Sequence, residues 1–163
     1  MASGDTLLVF TPLNNEPPSS DYATLDLRNN HPVLDFDDAL VERAVFTSIL
    51  PRAYSGGGLT VSIFFTMSSA VTGDVYWQIM FERIGEVLDI DSDSFAGAQD
   101  EIKTVSDTSG MAVKGEAAFT DGAQMDSMAA GEVFRLKILR AASSGSDTAT
   151  GDAELLAVEI KET

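Results

Sequence analysis

The stretch "GDVYWQIMFERI", residues 73–84, decides the fold. In an extended chain Val75, Trp77, Ile79 and Phe81 fall on one side, and Tyr76, Gln78, Met80 and Glu82 on the other. Alternation with period two, rich in β-branched and aromatic residues, is the pattern of a half-buried strand. The same reading applies to "LTVSIFFTM" at 59–67, where Val61, Ile63 and Phe65 alternate with Ser62, Phe64 and Thr66. It applies to "EVFRLKILR" at 132–140, with Phe134, Leu136 and Ile138 on one face. Near the C-terminus Leu156, Val158 and Ile160 alternate with Ala157, Glu159 and Lys161.

Six further segments fit strands: 6–10, 23–28, 32–36, 43–50, 101–106 and 111–120. Clusters of Gly, Asn, Ser and Asp separate them. "YSGGG" at 54–58 and "SSGSDTATGD" at 143–152 read as flexible turns or hairpin loops, and "VTGD" at 71–74 as a tight turn. Helix is scarce. "SDSFAGAQD" at 92–100 can make a turn or two, with Asp93 or Ser94 as N-cap, and "DGAQMDSMAAG" at 121–131 another, ended by Gly131. The expected fold is all-β: an antiparallel, jelly-roll-like β-sandwich with one or two short helical turns. Residues 1–163 read as one domain. The Pro-rich segment 11–22, "TPLNNEPPSSDY", reads as an extended loop or arm.

Composition narrows the function. The chain has 163 residues, 44% of them hydrophobic, and no cysteine, which excludes disulfides, thiolate metal sites and a cysteine nucleophile. Ten basic residues against 26 acidic give a net charge of −16, which repels nucleic-acid phosphates and anionic membranes. No run is long and apolar enough for a membrane helix, and "MASGDTLLVF" lacks the basic start of a signal peptide.

The candidate chemistries are few. Asp89, Asp91 and Asp93 in "VLDIDSDSFAGAQD" (87–100) open like a calcium loop. Ser94 stands where that loop needs Gly, Asp100 where it needs Glu, and a strand precedes it. The reading is an acidic turn at the N-terminus of a short helix, with a calcium rim as the alternative. His31, the single histidine, precedes a proline and reads as a loop residue, so a Ser-His-Asp triad or a zinc site lacks its parts. Asp35, Asp37 and Asp38 read as an acidic turn rather than a glycosidase pair. "YSGGGLT" lacks the Lys and the helix of a phosphate loop. Trp77, Tyr76, Phe64, Phe65 and Phe81 offer a sugar-stacking platform, but strand alternation assigns Trp77 and Phe81 to the core. Phe64, Tyr76 and Met80 leave second faces semi-apolar, which calls for a cover: another subunit or a loop. No catalytic residue and no cofactor is expected.

Several segments together, "FTPLNNEPPSSDYATLDLRNNHPVLDFDD", "FTSILPRAYSGGGLTVSIFF", "FTDGAQMDSMAAGEVFRLKILR" and "GDAELLAVEIKET", resemble small virion proteins of tailed bacteriophages, above all head-decoration (cement) proteins. The resemblance implies a structural protein on the capsid exterior. It would bind the major capsid protein lattice as a homo-oligomer, a trimer before a dimer, and stabilise the head. Pro12, Pro17 and Pro18 of the arm, with Arg28, His31, Arg43 and Arg52, are the docking candidates. The alternative is a tail- or fibre-associated module that binds a carbohydrate receptor.

Overall fold

The computed structural model describes residues 4–163. It contains ten strands: β1 (Thr6–Phe10), β2 (Thr24–Arg28), β3 (His31–Phe36), β4 (Arg43–Ile49), β5 (Leu59–Met67), β6 (Asp74–Ile84), β7 (Gln99–Thr104), β8 (Val113–Phe119), β9 (Val133–Arg140) and β10 (Ala153–Glu162). Each occupies a segment where the sequence predicts one. All pairings between strands are antiparallel. A six-stranded sheet runs β2-β3-β10-β5-β8, with β1 beside the second half of β10, and a four-stranded sheet runs β4-β9-β6-β7. The fold is an all-β sandwich, as expected.

The core lies between the sheets. Val75, Trp77, Ile79 and Phe81 of β6 are fully buried there, as are Val61, Ile63 and Phe65 of β5. Trp77 meets Phe36 and Phe65 edge-on, with ring centroids 5.0 and 5.2 Å away. Phe81 does the same with Phe119 and Phe134. The platform of stacked sugars is therefore not available to Trp77, Phe65 or Phe81.

Several local expectations are corrected. β5 and β6 lie in different sheets, so 68–73 crosses between them instead of forming a hairpin. Gly73 in that crossing has φ +97°, and a Cβ there would meet the Ala149 backbone at 2.9 Å, so only glycine lets the two connections pass. The 143–152 segment also joins different sheets and is tied down. Arg140, whose side chain is fully buried, holds Asp147 through two hydrogen bonds (2.8 and 3.0 Å) and donates to the carbonyls of Phe36, Ala149 and Gly151. The alternation at the C-terminus slips at a bulge between Leu155 and Ala157, so Leu155, not Leu156, joins Val158 and Ile160 in the core.

No helix forms over 92–100. Ala96 donates to the Phe81 carbonyl, and Phe95 lies over Lys137 (4.2 Å) and Arg135 (5.3 Å) on the outer face of the four-stranded sheet. The pull of two cations on one ring, with an extended hydrogen bond beside it, wins over a short polar turn. This loop lies across the stretch where Met80 pairs with Lys137, and Met80 is buried. A loop is the cover on that face. The two short helical turns are 3-10 turns at Pro12–Asn14 and Ala123–Met125, the second inside the expected 121–131 but ending at Asp126 rather than Gly131.

The Pro-rich segment is not a free arm. Glu16 N–H donates to the Val45 carbonyl, Asn15 Oδ1 accepts from Val45 N–H, and Thr47 donates to Glu16. Tyr22 then bridges to Arg43. Residues 11–22 run along β4 and cover that sheet's edge, a protection edge strands need.

Candidate functional site

The hairpin of β2 and β3 turns on Asn29 and Asn30, both with positive φ (47° and 65°). Two consecutive left-handed residues make the tight turn that matches strand twist, and asparagine tolerates that backbone. The turn sets Arg28 opposite His31 and Thr24 opposite Asp35. β3 in turn sets Asp35 beside Glu154 of β10. One outer face thus gathers Asp26, Arg28, His31, Val33, Asp35 and Glu154 from three strands.

A cleft of about 460 Å³ opens on this face, lined by Arg28, Asn29, His31, Val33, Thr66, Gly110, Ala112 and Leu156. Leu156 reaches it because the β10 bulge turns that side chain outward. Arg28 donates to Glu154 (2.6 Å) and to the Met67 carbonyl, and Thr66 donates to the same Glu154 carboxylate (2.8 Å). These bonds hold the guanidinium at the rim, with its side chain 35% exposed. Burial, then repulsion from Glu154, Asp26 and Asp152, pushes the Asp35 carboxyl up to about 7, and its Oδ1 is buried without a hydrogen-bond partner. The cleft mixes fixed donors and acceptors with apolar patches, a makeup suited to holding a small polar molecule.

On the other side of the same hairpin lies an apolar ridge. Leu13, Tyr22, Leu25 and Leu27 are exposed, and Leu13, Leu25, Leu27 and Pro32 line one shallow groove. Pro12, Pro17, Tyr22 and Leu34 line the next.

Of the docking candidates, Arg28 and His31 lie in the cleft, and buried Pro12 and exposed Pro17 border the ridge. Pro18, half-buried, follows on the way to β2. Arg43 lies elsewhere, on β4, its backbone held by Asp21 and Ala23. Arg52 is exposed in the loop after β4, beside Gly131. Asp89 accepts from Asp91 N–H and forms a local turn, and Asp93 sits half-buried. Among the described residues no three His, Cys, Asp or Glu side chains gather as a metal-holding group. Asp35 stands on a strand, while Asp37 makes the acidic turn, accepting from Ala39 and Leu40 N–H. Asn29, Thr66, Ala112 and Leu156 escape a reading by sequence, because strand pairing across the chain is what brings them together.

No protein-family model matches the chain, and no curated protein matches it in sequence. Solved structures do. A CBM35 module from Cellvibrio japonicus Abf62 is similar with a TM-score of 0.57 and 10% identity, over 96% of this chain and 94% of that one. The CBM22-2 xylan-binding domain of Paenibacillus barcinonensis Xyn10C gives 0.53 and 15%, over 92% of each. The Clostridium thermocellum xylanase 10B CBM22-1–GH10 modules, solved with xylohexaose, give 0.54 and 12%, over 98% of this chain and 29% of that one. At such identities the likeness is one of fold: the chain shares a jelly-roll-like β-sandwich with carbohydrate-binding modules.

Proposed function

We propose that this chain is a non-enzymatic binding module that holds a saccharide in the cleft beside the β2–β3 hairpin. The observation that carries this reading is the cleft's lining. Arg28, Asn29, His31 and Thr66 offer hydrogen-bonding groups around Val33, Ala112 and Leu156, and a sugar ring presents hydroxyl edges and C–H faces in the same mixture. The sandwich shared with carbohydrate-binding modules supports it. So does the engagement of Glu154 by Arg28 and Thr66, which leaves it a positioning group rather than a free acid. This corresponds to a receptor-binding module of a tail or fibre. Binding of the chain to an oligosaccharide array tests it: Arg28→Ala is expected to lose the signal at least tenfold, the loss of one charge-assisted hydrogen bond. No bound saccharide for the wild type would sink it.

One observation favours a second reading, the head-decoration protein. The exposed ridge of Leu13, Tyr22 and Leu25 is apolar in a chain of charge −16, and such patches mark protein contacts. In that reading the ridge docks on the major capsid protein at the virion exterior. Co-sedimentation with undecorated heads tests it, with Leu13→Asp expected to release the protein.

A further inference from the structure

β2 ends the six-stranded sheet, and among the described residues no strand lies beside its outer edge. Thr24, Leu25, Asp26 and Leu27 are all exposed. The β4 edge of the other sheet is covered by residues 11–22, whereas β2 has no such cover. Leu27 N–H donates to the Asp26 side chain (2.7 Å) instead of into the ladder with β3. The backbone groups of Leu27, and by period two those of Leu25, therefore point away from the sheet. Asp26, an exposed side chain, is the guard on this edge.

The strand is complementary to itself. Place a second copy antiparallel, with Leu27 opposite Leu27. Asp26 then faces Arg28 of the second copy, and Arg28 faces the second copy's Asp26. The two Leu27 residues exchange both backbone hydrogen bonds across the two-fold axis. Sliding the register to centre on Asp26 sets that carboxylate against itself, and centring on Leu25 leaves both charges unmatched. Charge also selects this surface. The chain carries 26 acidic and ten basic residues, so most faces repel a copy, but Thr24–Arg28 holds one of each and two exposed leucines.

We propose that two copies join by antiparallel β2–β2 pairing centred on Leu27, forming one continuous sheet across the pair. This is a two-fold dimer, in place of the trimer implied by the resemblance; its backbone pairing at Leu27 lies outside the cleft, and Arg28, which lines the cleft, is the one residue the two share. The chain has no cysteine, which gives a register-specific test. Residues opposed in a hydrogen-bonded antiparallel pair have Cα atoms about 5.5 Å apart, within disulfide range. Leu27→Cys is expected to yield a disulfide-linked dimer on mild oxidation. Leu25→Cys, which falls opposite Asn29, is expected to stay monomeric on a denaturing gel. In sedimentation equilibrium the wild type should approach twice 17.3 kDa with rising concentration. Leu27→Lys should sediment as one chain with an unchanged circular dichroism spectrum, while Leu40→Lys, equally exposed at 63%, should behave as wild type. A wild-type monomer or trimer, a dimer that survives Leu27→Lys, or cross-linking at 25 and not at 27 overturns the proposal.

Discussion

On β3 the Asp35 carboxyl stands beside Glu154 and Asp26 with one oxygen buried and unpaired. Its pKa is higher folded than unfolded, so the folded chain binds more protons between about pH 4 and pH 7. Stability contributed by this site therefore falls as pH rises through that window. Burial shifts Glu42 and Asp152 the same way. Glu116, drawn down to about 2 by Lys114 and Lys161, acts oppositely, its stabilising contribution fading only as pH falls below the usual carboxylate range. Asp35→Asn is expected to flatten the decline of melting temperature from acid to neutral pH and to raise it at neutrality; a parallel curve would contradict this. At Arg140 the expectation is the reverse. Asp147→Ala leaves a fully buried guanidinium without its carboxylate, and urea unfolding should show a loss of about 3–5 kcal/mol.

Among the elements, the segment 11–22 and the loop 85–98 do work that strands leave undone. Asn15→Ala removes the acceptor for Val45 N–H at the β4 edge and should cost about 1–2 kcal/mol in the same unfolding assay. The ten strands were legible because each carries its own alternation, and a local period needs no knowledge of partners. The connections were less so. "VTGD" has the composition of a hairpin turn, yet sheet assignment, a long-range fact, makes it a crossing. Asn29 and Asn30 did carry a local signal for a two-residue hairpin. Leu156 was read as core because alternation cannot announce a bulge. The cleft was half legible: Arg28 and His31 stood out in a chain with ten Lys and Arg and a single His, while Thr66, Ala112 and Leu156 join them only through β-pairing.

At the scale of the whole molecule, three features meet at one hairpin: a polar cleft on one side, an apolar ridge on the other, and the β2 edge between. The central claim is that the cleft is the binding site. Amide NMR during titration with a xylo- or cello-oligosaccharide, or with the best ligand from the array, tests it directly. Shifts confined to Arg28, Asn29, His31, Thr66, Gly110 and Ala112, abolished in Arg28→Ala, are the predicted result. Shifts clustered instead on the outer face of the four-stranded sheet, or around Tyr54 and Ala129, would contradict it.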